Sequence, residues 1–220
     1  VAGFIGSNLN DFLLNKGHKV IGVDNFSTGK DSFLSKAIKS KNFSLIKSDI
    51  CNLEINDTRF KGIDVIVHLA ANADVKDGPK HPKKDLQENT INTSTVLELA
   101  RCNKVKRFIF SSTGSVYGEH IEVPTKEDAS FPIQTSLYGA SKLAGESLIT
   151  AYSYAYGLES YIFRFVSILG QRYTHGHVVD FYKKLISNNK QLEILGDGTQ
   201  TKSYLHVKDC VRALYKAIEN

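Results

Sequence analysis

The sequence predicts an α/β protein built on a parallel β-sheet with helices on both faces. Three observations carry the prediction. Short β-branched and aromatic runs recur along the 220 residues without apolar–polar alternation, which marks strands buried on both faces. Stretches of helical periodicity separate them, and that alternation folds as right-handed βαβ units. A pair of glycines, Gly3 and Gly6, stands directly before the first amphipathic stretch, as in a turn that presents backbone N–H groups to an anion.

The elements follow in order. VAGFIGSNLNDFLL reads as a turn entering a helix, and HKVIGVD (18–24) as a strand ending in an acid. NFSLIKS (42–48) and DVIVHL (64–69) are the next strands, followed by helical periodicity over 86–101. RFIFS (107–111) is a strand, 137–156 a long helix, and ESYIFR (159–164) another strand. From Ser167 the rhythm loosens into a loop rich in Gly, His and Tyr, a helix over 178–187, the segment LEILGDGTQTKSYLHV and a closing helix over 208–219. This divides the chain into a nucleotide-binding domain, 1–166, and part of a smaller substrate-binding region, 167–220, interleaved with the last elements of that domain.

Composition excludes several function classes. At 41% hydrophobic and 23% charged residues the chain is an ordinary globular protein, and no apolar run reaches the ~18 residues needed to span a membrane. Cys51, Cys102 and Cys210 are odd in number and match no metal spacing, which points to a reducing compartment, the cytoplasm. The net charge of +5 comes from scattered lysines, densest at Lys80, Lys83 and Lys84, without the aromatic interleaving of a nucleic-acid binder. His175 and His177 have no third metal ligand nearby in the sequence and suit a loop at a site entrance, so no metal is expected.

In a dinucleotide site the pyrophosphate lies on a helix N-terminus, so Gly3, Phe4, Ile5 and Gly6 are the candidates to hold it. A glycine pair alone is equally a tight turn. Asp24 strengthens the reading: at the end of the next strand its carboxylate suits the ribose hydroxyls and repels a 2′-phosphate, favouring NAD over NADP, with Lys30 softening that discrimination. Asp49 and Ile50, then Leu69, Ala70 and Ala71, fall on the same carboxyl edge, where open α/β sheets bind ligands.

Tyr138 and Lys142 lie four residues apart on one helical face. An ammonium beside the phenol, joined by a nicotinamide cation, would lower a phenol that normally titrates near ~10. A drop of about three units requires about 4 kcal/mol and makes the tyrosine a general base. Alone, such a pair is also an ordinary surface contact. Here the hydroxyls of Ser112, Thr113 and Ser115 follow a strand end on the substrate edge.

Together GFIGSN, Asp24-Asn25, HLAA, SSTGSVYG, YGASKLAGE and GDGTQTKSYLHVKD resemble the extended short-chain dehydrogenases/reductases that act on nucleotide sugars, the NAD-dependent epimerase/dehydratase family, and most of all its UDP-glucose 4-epimerase group. The resemblance covers essentially the whole chain. It implies a Rossmann-like doubly wound sheet and NAD-dependent 4-epimerisation of a UDP-hexose, with transient oxidation at the sugar C4, Tyr138 as base and hydride transfer to NAD. Thr113 takes the active-site Ser/Thr position and Lys142 the nicotinamide ribose. Phe4, Ile5, Asp24, Asn25, Asp49, Ile50, Leu69, Ala70, Ala71 and Asn89 fall on positions that touch NAD. Ser167 and Lys202 fall on substrate positions where the family has Asn and Arg; lysine keeps the charge and loses the bidentate fork.

Related dehydratases place Asp and Glu directly after the active-site Thr, and related decarboxylases carry Glu at the second position. Here Gly114 and Ser115 stand there, which favours an epimerase. The alternatives are another nucleotide-sugar enzyme of the same superfamily (a 4-reductase, dehydratase or decarboxylase) and a non-catalytic NAD-binding protein, although such proteins lose the Tyr or Lys retained here. The resemblance also implies a homodimer through the helix carrying Tyr138 and its neighbour, with no nucleic-acid or membrane partner. Family members precede the two glycines with a strand and one more glycine. The sequence has neither and no Met, so a sheet with unpaired edges and weak NAD binding by residues 1–220 alone are expected.

Overall fold

The computed structural model describes residues 1–75, 78–118, 124–130, 133–194, 196–199 and 201–220. Its elements are α1 (Phe4–Asn15), β1 (Val20–Asp24), β2 (Phe43–Lys47), β3 (Val65–His68), α2 (Pro82–Asp85), α3 (Asn92–Cys102), β4 (Arg107–Thr113), α4 (Leu137–Tyr156), β5 (Glu159–Phe165), β6 (Ser167–Leu169), α5 (His177–Ser187), β7 (Tyr204–His206) and α6 (Val207–Glu219). Every strand pairing is parallel: β1 with β2, β3 with β4 and β4 with β5, and β6 with β7.

Period-two alternation along β4 sends its side chains to opposite faces. Ile109 packs with Leu9 and Leu13 of α1 and with Cys210, Val211 and Leu214 of α6. Phe108 and Phe110 pack with Val96, Leu97 and Ala100 of α3 and Ile149 of α4. Helices therefore cover both faces of the strands, as in a Rossmann-like doubly wound fold. α6 belongs to this main core, whereas α5 has no buried residue.

Local chemistry accounts for the helix that carries the Tyr–Lys pair. Ser136 caps α4, its hydroxyl accepting from the Gly139 N–H at 2.9 Å. Gly157, at φ +69°, ends it in the left-handed conformation. The periodicity over 86–101, by contrast, is not one α-helix. A π-helical turn (Leu86–Ile91) joins α2 to α3. Within it the Asn89 side chain bonds to Asn72, Asp85 and Ser141. Those partners lie outside the stretch whose apolar spacing suggested a single helix.

β1 and β3 are not paired with each other among the described residues, and on the free edge of β1 the Val23 carbonyl accepts from the Val1 nitrogen at 2.9 Å. Leu9, Asn10 and Leu13 of α1, Val20 to Val23 of β1 and Val65 to Leu69 line a cavity of about 730 Å³. The buried Asn10 carboxamide has no hydrogen-bond partner among the described residues. No helix among them is long and apolar enough to cross a membrane.

Candidate active site

The carboxyl ends of the parallel strands open onto one cleft of about 820 Å³. At one end lies the N-terminus of α1. Its cap, Gly3, is extended and offers no side-chain cap, and no acid stands in the first turn. The first N–H groups of the helix are thus left for an anion, with the helix dipole favouring negative charge. Backbone is packed closely beside this turn: a Cβ on Gly6 would lie 3.1 Å from the Val1 carbonyl oxygen.

Asp24, at the end of β1, anchors the turn. Its Oδ2 accepts from the Val1 nitrogen at 2.9 Å and the Ala2 N–H at 2.7 Å, and its Oδ1 accepts from the Phe26 N–H at 2.8 Å. Burial pushes this carboxyl up, but the donors at Val1, Ala2 and Phe26 outweigh it and hold Asp24 below the usual carboxylate range. Asn25 donates to Asp49 Oδ2 at 2.7 Å, and this bond is the main reason Asp49 is also lowered. The uncapped helix end, two ionised acids at successive strand ends, and Ala70 and Ala71 on the cleft wall suit a dinucleotide in size and chemistry.

Thr113 ends β4. Its Oγ1 accepts from the Ser115 N–H at 3.1 Å, and its hydroxyl donates to Ser115 Oγ at 3.2 Å. Tyr138 and Lys142 project from the first two turns of α4 into the same cleft. Lys142 is 2% exposed. Its Nζ donates to the Ser111 carbonyl oxygen at 2.8 Å and sits 4.6 Å from the Phe110 ring centroid. Desolvation pushes this lysine down to about 7, with Glu146 acting in the opposite direction.

The expected lowering of the Tyr138 phenol is not a property of the protein alone. Burial raises the phenol, the Thr113 hydroxyl works against that, and the Asp85 carboxylate adds to it. The physical reason is the burial of the phenol itself, which outweighs the hydrogen bond from Thr113. The nicotinamide ring of NAD is the other positive charge in that expectation.

Gly3, Phe4, Ile5, Gly6, Asp24, Asn25, Asp49, Ile50, Leu69, Ala70, Ala71, Thr113, Tyr138, Lys142, Ser167 and Lys202 all line the cleft. Asn89 lies behind the wall in its buried network, and Asn92 lines the cleft instead. The cleft also takes in Glu88, Phe165, Val166, Tyr173 and His175. Tyr173 packs edge-on against Phe4 at 5.3 Å, so the loop after β6 closes over the helix end. None of these residues sits in a motif. The one sequence signal for Tyr173 and His175 was the aromatic and histidine content of their loop. No group of His, Cys, Asp or Glu among the described residues could hold a metal, and the His177 imidazole pairs with the Tyr204 hydroxyl at 2.8 Å.

Residues 1–220 match the family described as NAD dependent epimerase/dehydratase. The chain is 36% identical over 223 residues to a UDP-glucose 4-epimerase of Mycolicibacterium smegmatis, covering 98% of this chain and 70% of that protein. It is 31% identical to a UDP-glucuronate 4-epimerase of Thermodesulfobacterium geofontis, covering 100% and 70%. Its fold superposes with a TM-score of 0.91 on the UDP-glucuronic acid 4-epimerase of Bacillus cereus in complex with UDP-glucuronic acid and NAD, at 34% identity, covering 100% of this chain and 71% of that one. The cleft suited to a dinucleotide, the doubly wound fold and these matches lead to one conclusion: the chain belongs to the NAD-dependent epimerase/dehydratase family.

Proposed function

We propose that the protein is an NAD-dependent nucleotide-sugar 4-epimerase acting on a UDP-hexose of the UDP-glucose/UDP-galactose type. The observation that carries this reading is the end of β4. Thr113 faces the cleft beside Tyr138 and Lys142, and the two residues after it, Gly114 and Ser115, bring no acid. Elimination of water or decarboxylation in this family enlists a carboxylate there; epimerisation runs on the same tyrosine and cofactor in both directions and needs no additional acid.

NAD, when bound, supplies a reversible hydride acceptor for the sugar C4. Tyr138 takes the proton of the 4-hydroxyl and later returns it. Thr113 shares a hydrogen bond with the reacting oxygen and orients it. Lys142 holds the nicotinamide ribose and contributes positive charge to the Tyr138 surroundings. Gly3 to Gly6 carry the pyrophosphate, and Asp24 and Asn25 the adenosine ribose. Asp49, Ile50, Leu69, Ala70 and Ala71 line the remaining cofactor wall, with Asn89 bracing it. Ser167 and Lys202 face the sugar nucleotide, Lys202 as a point charge for the diphosphate. Residues 1–166 form the cofactor domain and 167–220 contribute to the substrate side. A cytoplasmic location, motivated by the three free cysteines, and a homodimer complete the reading.

The test is to incubate the full-length protein with UDP-glucose or UDP-galactose without added NADH and to identify the products. The expected result is the 4-epimer of each, lost by about 10²- to 10⁴-fold in Tyr138→Phe. A requirement for external NADH makes the protein a reductase, and undiminished turnover in Tyr138→Phe removes the assignment.

A further inference from the structure

Tyr138, Lys142 and Glu146 succeed one another at intervals of four along α4 and so share one helical face. Glu146, at 4% exposure, is buried among charged and polar partners drawn from three directions. The Ser112 hydroxyl donates to its Oε1. From β5, Arg164 grips the carboxylate, with Nε 3.2 Å from both oxygens and Nη2 2.9 Å from Oε2. Arg164 Nη1 continues to the Tyr117 hydroxyl at 2.6 Å and the Glu127 carbonyl oxygen at 2.8 Å. This chain of bonds ties the end of β4, the turn after Thr113 and the middle of α4 into one unit. A buried ion pair adds little net stability over apolar side chains of equal volume, so its place one helical turn from Lys142 calls for another account.

We infer that the Glu146–Arg164 pair is a positioning device for the acid–base centre, with Glu146 setting the charge of Lys142 and, through Ser112, the placement of Thr113. Charged and titratable groups from several elements stand around the Tyr138–Lys142 pair. His68 of β3 is kept neutral, pushed down to about 3 by burial and then by Lys142 itself. Tyr138 shares its helix and is held as the phenol by burial. Glu146 is the anion that supports the Lys142 charge against desolvation. Arg164 tempers that anion by pairing with it. Asp85 of α2 acts on Tyr138. The balance therefore runs through one carboxylate and its guanidinium partner.

The inference rests on Tyr138 and Lys142 being the acid–base centre, but its first test needs no turnover. Isotope-labelled lysine lets the Lys142 side chain be titrated by NMR, with Lys142→Arg identifying its signal. Glu146→Gln removes the supporting anion and should lower the Lys142 midpoint by about half a pH unit or more. Arg164→Gln leaves Glu146 uncompensated and should raise it by a similar amount, and the double variant should fall between the two. In the full-length holoenzyme the alkaline limb of the pH–kcat profile, where Lys142 loses its proton, should move in the same directions. Shifts of opposite sign are the signature, because loosened packing alone would move both single variants the same way. If Glu146→Gln does not fold, the upward shift in Arg164→Gln carries the test. Midpoints that stay put, or that move together, overturn the inference, and they do so whichever product the enzyme makes.

Discussion

Lys142 Nζ donates to the Ser111 carbonyl oxygen across 2.8 Å, so the cation of α4 is fastened to β4 from inside the protein. The site has a measurable consequence for stability. Burial brings this lysine down to about 7, while in the unfolded chain it titrates near ~10.4. Between those values the unfolded state holds the extra proton, so the site's contribution to stability rises with pH across that window. Below about pH 7 both states are protonated and the full cost of the buried charge is present. Lys142→Met removes the dependence. The stability advantage of Lys142→Met over the wild type should shrink by on the order of 2 kcal/mol from about pH 7 to about pH 9. Chemical denaturation at several pH values measures it, and a constant difference would show that the lysine keeps its proton throughout.

The contact between α4 and β4 is tightest at Gly145. A Cβ on Gly145 would lie 3.1 Å from Phe110 Cζ, the ring over which Lys142 sits. Gly145→Ala should be close to neutral, because a helix-propensity gain of about 1 kcal/mol offsets a small displacement of the ring. Gly145→Val should cost about 1–3 kcal/mol through overpacking and should lower the melting temperature. Equal stability of the two variants would show that the Phe110 ring yields freely.

Asp24 links the opening turn to β1 through Val1 and Ala2. Asp24→Asn keeps the shape and loses the charge that orders these donors and repels a 2′-phosphate. Losing a charged hydrogen bond costs about 1.5–3 kcal/mol, so NAD affinity should fall about 10- to 100-fold, with a smaller loss for NADP. Calorimetry with both cofactors decides it; an unchanged ratio would remove Asp24 from ribose recognition.

Much of the fold was legible from local signals. Ser136 and Gly157 frame α4 because a hydroxyl cap and a left-handed glycine act within a few residues of themselves. β4 was read as ending at Ser111, where the apolar run stops, yet it continues through Ser112 and Thr113. Those two hydroxyls are buried because Ser112 finds Glu146 and Thr113 finds the following turn. Hydropathy does not encode a polar side chain whose partner sits 34 positions away. The π-turn at Leu86–Ile91 escaped for the same reason, since its Asn89 answers to Asn72, Asp85 and Ser141.

The sequence by itself determined the α/β class, the order of the elements, the glycine turn with its following acid, and the Tyr138–Lys142 pair on one helical face. These depend on spacing, and spacing is a property of neighbours in the chain. Only the tertiary structure decided that Lys142 faces Ser111, that burial raises Tyr138, that Asn92 lines the cleft where Asn89 does not, and that Glu146 and Arg164 meet behind the Tyr138–Lys142 pair. Each of these is an electrostatic or hydrogen-bonding outcome among groups on different elements. Its energy depends on how deeply the fold removes them from water and on which partner the packing brings within reach.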